Sequence, residues 1–236
     1  GILLAVVLTA SSAVALGQDA SYFAGKNVTY IVATNAGGGY DAYARLIGRY
    51  LESYLQADHV IIRNVPGAGH LIGANTLARS RADGLTIGTF NVGVIYGQLL
   101  ANPALRFKLE DFAWIGKAAG ESRAVLLAAT CAQQSVEDLI TATEPAVFAG
   151  AGIGSASYAD TRLLAEALEL NVRIIPGYEG TEAEMAMMRG EVCGLVASAS
   201  SVQSFVDGGY ATFVLAVGGT IAGVPNAIDY ARDDRS

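Results

Sequence analysis

Two glycine-rich segments in the first third of the chain have the composition of anion-binding turns. One reads Asn35-Ala36-Gly37-Gly38-Gly39-Tyr40-Asp41 and the other reads Val65-Pro66-Gly67-Ala68-Gly69-His70. Each lies between a β-like run and a helix-like run, so its main-chain N–H groups would sit at the positive end of a helix dipole. Neither segment contains Lys or Arg. The pattern predicts that these turns hold an anion with amides and dipoles rather than with cationic side chains.

Spacing around the first turn suggests how it is organised. Its three successive glycines permit positive φ and let a ligand approach the main chain without meeting a Cβ. Asp41 begins the following helix and Arg45 lies one helical turn later on the same face, which predicts an ion pair that organises the loop. The alternative is that the glycines only make a tight corner.

The second turn is open to a different interpretation. Its pattern Gly67-x-Gly69-x-x-x-Gly73 could be a variant of the dinucleotide-binding fingerprint, with Asp83 near the distance expected of the ribose-binding acid. On that interpretation the protein is an NAD(P)-dependent oxidoreductase. His70 either donates a hydrogen bond to an anion or is a surface or capping residue.

Two further turns of this kind follow in the second half of the chain. They read Gly150-Ala151-Gly152-Ile153-Gly154-Ser155 and Pro176-Gly177-Tyr178-Glu179-Gly180-Thr181. Ser155 and Ser157 can cap the next helix while turning hydroxyls and amides toward a ligand, and capping alone is the alternative for one of them. Tyr158 and Tyr178 either line a cleft or only pack.

Short apolar runs alternate with helix-like segments from residue 27 onward. Strands are predicted at 28–33, 60–63, 86–90, 112–116, 124–129, 146–149, 172–176, 194–197 and 212–217, and helices at 41–55, 155–170, 181–189 and 198–206. This alternation predicts an α/β fold with mostly parallel sheets, which place all four turns at the carboxyl ends of strands. A composition break at 117–121 predicts a hinge between two lobes that face each other across a ligand cleft. A single continuous sheet is the alternative.

Composition and charge exclude several classes of function. The 236 residues carry a formal net charge of −7, which argues against nucleic acid as a partner. The sequence contains neither a Gly-x-Ser-x-Gly segment nor a Walker segment, and its two His and two Cys give no metal-ligand spacing. We therefore expect a binding protein and not an enzyme, with no cofactor and no metal ion.

The beginning of the chain predicts export. Residues 2–16 are apolar and uncharged and include Ala13-Val14-Ala15, which is typical of a signal peptide and its cleavage site, so residues 1–17 are interpreted as a signal-peptide remnant. In an oxidising compartment Cys131 and Cys193 could form a disulfide, and two separate buried thiols are the alternative.

Taken in order, the turns and their flanking residues resemble the tripartite tricarboxylate transporter substrate-binding proteins, also called the Bug family. The resemblance covers Ala44-Arg45-Leu46, Asn64-Val65-Pro66-Gly67-Ala68-Gly69, Ile72-Gly73-Ala74 and Ala82-Asp83-Gly84-Leu85-Thr86-Ile87-Gly88. It continues through Gly154-Ser155-Ala156-Ser157, Pro176-Gly177-Tyr178-Glu179-Gly180 and Arg189-Gly190-Glu191-Val192. It implies a monomeric, periplasmic solute receptor with a two-lobed periplasmic-binding-protein-like fold. Such a receptor closes around a small organic carboxylate and delivers it to membrane permease subunits.

The resemblance also implies which residues bind the ligand and how the chain divides. The expected ligand-binding residues are Ala36, Gly37, Gly38, Gly39, Asp41, Gly67, Ala68, Gly69 and His70 in the first lobe, with Ser155, Ser157, Tyr158, Tyr178, Glu179 and Gly180 in the second. Lobe 1 is expected at 18–120, lobe 2 at 121–215, and a shortened return segment to lobe 1 at 216–236. Dicarboxylates, tricarboxylates and aromatic acids all remain candidate ligands.

Overall fold

Within residues 22–120 and 122–231, which a computed structural model describes, strands alternate with helices. The predicted signal-peptide remnant lies outside the described residues, as does Glu121 in the predicted hinge. The strands are β1 (Asn27–Val32), β2 (His59–Asn64), β3 (Thr86–Thr89), β4 (Arg123–Ala128), β5 (Ala146–Gly150), β6 (Val172–Pro176), β7 (Gly194–Ser198) and β8 (Ala211–Val217). The helices are α1 (Gly39–Leu55), α2 (Leu71–Ala78), α3 (Gly93–Leu99), α4 (Val136–Thr141), α5 (Ala156–Leu168), α6 (Glu182–Met188) and α7 (Ala199–Asp207). None of the described helices combines the length and the apolarity that a membrane crossing requires.

The first three strands form a parallel sheet in the order β2-β1-β3. Its central strand places Tyr30 and Val32 in a buried cluster with Ala44 of α1, and Ile62 and Ile87 of the flanking strands pack against that cluster. Because all three strands run the same way, the loops that follow them leave from one edge. This sheet and its helices are lobe 1.

The other five strands form a separate sheet in the order β6-β5-β7-β4-β8. Strand β5 is parallel to β6 and β7, whereas β4 is antiparallel to β7 and β8. Four strands therefore share one direction and β4 runs against them. This sheet and its helices are lobe 2, and the two-lobed α/β architecture with mostly parallel sheets is confirmed. The alternative of one continuous sheet is wrong.

Alternation along β4 shows that the sheet of lobe 2 is buried on both faces. Val125 and Leu127 belong to one apolar cluster, and Leu126 and Ala128 belong to another. Successive side chains on a strand point to opposite faces, so helices must cover both sides of this sheet. That double cover makes lobe 2 a firm support for the loops at its edge.

One predicted strand is wrong. Residues 112–116 contain no strand and follow a 3₁₀ turn at Leu109–Asp111. Phe112 lies in an aromatic cluster instead, with ring centroids 4.9 Å from Phe107 and 5.6 Å from Phe90. Packing between rings, rather than pairing between strands, buries part of this apolar segment. The lobe boundaries at 120 and 215 stay predictions, and β8 itself extends to Val217.

The two cysteines form a disulfide in the structure, with Cα atoms 5.1 Å apart. Cys131 follows β4 and Cys193 precedes β7, and these two strands are hydrogen-bonded neighbours. The bond links positions 62 residues apart in the chain. It therefore closes a large loop that contains α4, β5, α5, β6 and α6.

Removing this disulfide should destabilise lobe 2, because a crosslink over a long loop restricts the unfolded chain. We expect the double variant Cys131→Ala/Cys193→Ala to lose about 2–4 kcal/mol of unfolding free energy in urea titrations under oxidising conditions. A reductant should lower the stability of the parent protein and leave that of the double variant unchanged. Equal stability of the two oxidised proteins would contradict a structural role for the bond.

Candidate functional site

Four loops at the carboxyl ends of parallel strands form the candidate site. Loop A (residues 33–38) joins β1 to α1 and loop B (65–70) joins β2 to α2 in lobe 1. Loop C (151–155) joins β5 to α5 and loop D (177–181) joins β6 to α6 in lobe 2. Ligands of open α/β sheets bind at this edge, where connections diverge. The four predicted glycine-rich turns therefore face the same junction.

Loop A is held by the carboxylate of Asp41, which is buried to 4% relative exposure. Its Oδ2 accepts hydrogen bonds from Gly37 N at 3.0 Å and from Arg45 Nε at 2.8 Å, and its Oδ1 accepts from Asn64 Nδ2 at 3.0 Å. Burial alone would raise the pKa of Asp41, but these hydrogen bonds and the Arg45 charge hold that pKa below its usual range. The predicted ion pair is present. Both carboxylate oxygens of Asp41 accept hydrogen bonds that hold loop A in place.

Loop B has an unusual backbone conformation. Gly67, Ala68, Gly69 and His70 have φ values of +115°, +50°, +60° and +78° in succession. Positive φ is costly for residues that carry a Cβ, on the order of 1–3 kcal/mol each, and such strain concentrates at functional sites. Two of the four residues are glycines, for which positive φ is not strained. The conformational strain therefore falls on Ala68 and His70. Loop B is therefore a specialised turn rather than a generic corner.

The two serines of the third predicted turn organise loop C. Ser155 Oγ accepts a hydrogen bond from Tyr158 N at 3.3 Å and caps α5, and it also accepts from Gly152 N at 3.2 Å. Ser157 Oγ accepts from Ala151 N at 3.0 Å. Ser155 is fully buried. Both hydroxyls are thus engaged by main-chain donors of their own loop.

Loop D sends one carboxylate across the junction. Glu179 Oε1 accepts a hydrogen bond from Gly67 N of loop B at 3.2 Å, and the residue is buried to 7% relative exposure. Burial raises the pKa of Glu179, which the hydrogen bond from Gly67 N opposes and the nearby charge of Glu182 reinforces. This contact unites two residues that were predicted from separate turns.

Elsewhere the lobes meet through glycines, main chain against main chain. A Cβ built on Gly38 would lie 3.0 Å from Gly180 Cα, and one built on Gly69 would lie 2.9 Å from Ser155 N. Any side chain at these two positions would push the lobes apart. A glycine at both is therefore a requirement of this closed arrangement.

A polar cluster bridges the lobes at a second place. Asp160 of α5 forms an ion pair with Arg123 at the start of β4, with Oδ2 and Nε 2.6 Å apart. Burial raises the pKa of Asp160 despite the Arg123 charge, and the Tyr96 hydroxyl of α3 hydrogen-bonds to the same carboxylate. Since Tyr96 belongs to lobe 1, this cluster ties α3 to α5 beside the predicted hinge.

His70 is buried and not a surface residue, and it occupies the N-cap position of α2, where its carbonyl accepts a hydrogen bond from Ala74 N at 3.0 Å. It is buried to 3% relative exposure and makes no side-chain capping hydrogen bond at the start of α2. Its ring stands edge-on to Tyr40, with centroids 5.4 Å apart. Burial lowers the pKa of His70 to about 4, so the imidazole is neutral at physiological pH. Its Nδ1 has no hydrogen-bond partner among the described residues.

The described contacts of the two predicted cleft tyrosines lie within lobe 2. Tyr158 lies beside Gly150 and lines a surface depression of about 510 Å³ between α5 and β6. Tyr178 packs against an apolar cluster of lobe 2 and lines a second depression of about 330 Å³ with Met185 and Arg189. An aromatic lining of the cleft stays a prediction.

The geometry argues against the dinucleotide fingerprint. Gly73 packs α2 onto β1, because a Cβ there would lie 2.5 Å from Ala33 Cα, and the third glycine of a fingerprint would do the same, so the position of Asp83 decides the question. Asp83 lies in the turn just before β3, where its Oδ1 accepts from Leu85 N at 3.0 Å. That turn is at the amino end of β3, on the opposite edge of the sheet from loop B. An acid that binds a ribose would have to follow a strand at the same edge as the glycine turn.

Several residues at the junction were not predicted from the sequence. Ser201 of α7 lies against Gly39, and Asn64 at the end of β2 holds Asp41. Both lie near the carboxyl ends of predicted strands. Applying to every strand the rule that ligand sites form at these ends would have found them. The cluster of Tyr96, Arg123 and Asp160 has no local signal, since its members are far apart in the chain.

Replacing Asp41 by Asn should loosen loop A, because an amide cannot accept hydrogen bonds from Gly37, Arg45 and Asn64 together. We expect Asp41→Asn to lose about 1–3 kcal/mol of unfolding free energy at pH 7. Since the folded pKa of Asp41 lies below the ordinary aspartate value of 3.8, the difference between the two proteins should shrink as the pH falls below that value. Urea titrations at pH 7 and pH 3 measure both effects. The exposed Asp58→Asn is the matched control, and a variant as stable as its parent at pH 7 would contradict the role of Asp41.

The buried His70 predicts a separate dependence of stability on pH. Its folded pKa of about 4 lies below the ordinary histidine value of 6.5, so the unfolded chain binds the proton more readily and stability falls as the pH decreases from 6.5 to 4. Asn tolerates positive φ, so His70→Asn should keep the loop while removing up to roughly 3 kcal/mol of this pH dependence. Urea titrations across that window provide the measurement. His59→Asn, on an exposed strand position, should keep the parent slope, and an unchanged slope in His70→Asn would refute the assignment.

Similarity to solved structures supports the fold described above. MatC from Rhodopseudomonas palustris, solved with bound malate, superposes with a TM-score of 0.78 at 23% identity, over 87% of this chain and 72% of that chain. A protein of R. palustris solved with adipate superposes with a TM-score of 0.70 at 17% identity, over 87% of this chain and 71% of that chain. The same two-lobed arrangement is therefore found in proteins of low sequence identity.

Sequence comparison identifies the family. A UPF0065 protein from Agrobacterium vitis is 28% identical over 192 residues, which are 79% of this chain and 55% of that protein, so the chain spans about half the length of this relative. The model of the tripartite tricarboxylate transporter family receptor matches residues 44–220, which include loops B, C and D and all of α2 through β8. The chain therefore belongs to the tripartite tricarboxylate transporter receptor family, the Bug family.

Proposed function

We propose that this protein is an extracytoplasmic receptor that captures a small organic carboxylate between its lobes and delivers it to the membrane permease of a tripartite tricarboxylate transporter. The observation that carries the proposal is the junction of loops A to D, where main-chain groups of both lobes converge. Helices α1 and α2 both begin there without a side chain that caps them. The first amides of α2, at Leu71 and Ile72, donate to the Ala68 and Gly67 carbonyls at 3.3 and 3.4 Å. The start of α1 is therefore the one suited to an anion, because the first amides of a helix have no partner within it.

Several features support a carboxylate as the anion. The family match concerns receptors, and MatC and the adipate-bound protein share the fold while holding dicarboxylates. The acids would be held by neutral donors, since loops A to D contain no Lys or Arg and the Arg45 guanidinium is paired with Asp41. Binding through amides is weaker than binding through paired cations, which suits a receptor that must release its cargo.

Closure of the lobes provides the mechanism. A ligand that contacts loops of both lobes stabilises only the closed form, so it shifts the population toward closure. The hydrogen bond of the Tyr96 hydroxyl to Asp160 would be made on closing and broken on opening, whereas the ion pair of Arg123 with Asp160 lies within lobe 2 and would persist. We further propose that the protein acts as a monomer in the periplasm after export through its N-terminal segment.

Gly38→Val tests this mechanism, because the new side chain would occupy the space between loop A and Gly180. We expect the variant to fold and to lose carboxylate binding. A thermal-shift and calorimetry panel of malate, adipate, citrate, benzoate, NAD and NADP supplies the measurement. An acid at 100 times its Kd should stabilise the parent by about 2.7 kcal/mol.

The matched control is Gly116→Val, since a Cβ at Gly116 would meet nothing within 4 Å. This control should bind acids like the parent. Stabilisation of the parent by a dinucleotide alone would overturn the receptor proposal. Unchanged acid affinity in Gly38→Val would overturn the role of loop A.

A further inference from the structure

Glu179 is a carboxylate buried in the junction and only half satisfied. Its Oε1 accepts from Gly67 N at 3.2 Å, whereas its Oε2 is buried and has no hydrogen-bond partner among residues 22–120 and 122–231. The residue as a whole is 7% exposed. A buried carboxylate oxygen without a partner is costly, so an oxygen left in this state marks a place where a donor can be gained.

The surroundings of Glu179 add negative charge rather than positive charge. None of the ion pairs among the described residues includes Glu179. Its main-chain N–H donates to Glu182 Oε2 at 2.8 Å, which brings a second acid to the same loop. A second carboxylate from a ligand would meet repulsion here, because like charges interact strongly in a site that excludes water.

We propose that Glu179 sets the charge preference of the cleft, favouring an acid that presents an ammonium or other N–H donor to loop D over an acid that presents a second carboxylate there. This assignment rests on the proposed receptor function. An ammonium group would satisfy Oε2 and neutralise the buried charge in one contact. The ligand carboxylate would then bind the amides of lobe 1, and the opposite end of the ligand would face Glu179.

Two probes of matched length test this preference, namely glutarate and 4-aminobutyrate. Both place three methylene groups after a carboxylate, and they differ only in carrying a second carboxylate or an ammonium at the far end. Isothermal titration calorimetry gives the Kd of each for the parent, for Glu179→Gln and for Glu191→Gln. Glu191 is the control, because it is an acid of lobe 2 paired with Arg189 at the surface.

The expected result is that the parent binds 4-aminobutyrate more tightly than glutarate. Glu179→Gln should shift the ratio of the two Kd values at least tenfold toward glutarate, and Glu191→Gln should leave the ratio unchanged. Glu179→Lys reverses the charge and should favour glutarate outright, which provides a second variant. Thermal melting establishes that each variant is folded.

Three outcomes overturn the assignment. A parent that binds glutarate, malate or adipate at least as tightly as 4-aminobutyrate would show that loop D does not select for an ammonium group. If Glu179→Gln gains the same affinity for both probes, Glu179 does not select by charge. It would then compete with every ligand equally, by occupying Gly67 N. Failure of the parent to bind any acid, including malate and adipate, would overturn the receptor function itself and is recognised by that wider loss.

Discussion

The approach of main chain to main chain across the two lobes is the constraint on which the rest of the structure depends. A Cβ would lie 3.0 Å from Gly180 Cα at Gly38 and 2.9 Å from Ser155 N at Gly69, so either position would accept one only if the facing main chain shifted. A contact of this kind presents amides and carbonyls instead of side chains. Its chemistry is therefore that of fixed dipoles, which recognise charge without supplying a formal charge of their own.

Such loops need support from elsewhere, because glycines lose more conformational entropy on folding than other residues. Asp41 ties loop A to α1 and to β2, and Ser155 ties loop C to α5. The disulfide between Cys131 and Cys193 links the ends of two strands in lobe 2. Each device is buried or covalent, so the loops are held in place from within the fold.

Local patterns were enough to predict much of this fold. The strand predicted at 172–176 is β6 as observed, and the helix predicted at 41–55 begins two residues earlier, at Gly39. The Asp41 and Arg45 pair follows from helical spacing alone. The segment at 112–116 was mistaken for a strand, because β-branched and aromatic residues are enriched both in strands and in clusters such as that of Phe90, Phe107 and Phe112.

Long-range features of the site were beyond local patterns. Nothing in the sequence around His70 indicates that it is buried, and nothing around Asp160 indicates that Arg123 and Tyr96 will reach it. Spacing could not decide whether the two cysteines pair, since pairing depends on the order of β4 and β7 in the sheet. The strand order of a sheet is a global property, and only it brings such residues together.

The two lobes contribute unequally to the electrostatics of the junction. Helix starts without side-chain caps occur in both lobes, at α1 and α2 in lobe 1 and at α6 and α7 in lobe 2. The buried acids differ, because Asp41 of lobe 1 is paired with Arg45, whereas Glu179 of lobe 2 belongs to none of the ion pairs among the described residues. The buried charge without an ion-pair partner therefore belongs to lobe 2. Because Glu179 already accepts from Gly67 N, a ligand carboxylate must use the remaining amides of lobe 1 or displace Glu179. In the proposed receptor, a ligand with opposite charges at its two ends would match this polarity better than one with two negative ends, so the buried charge of Glu179 would orient the ligand as well as select it.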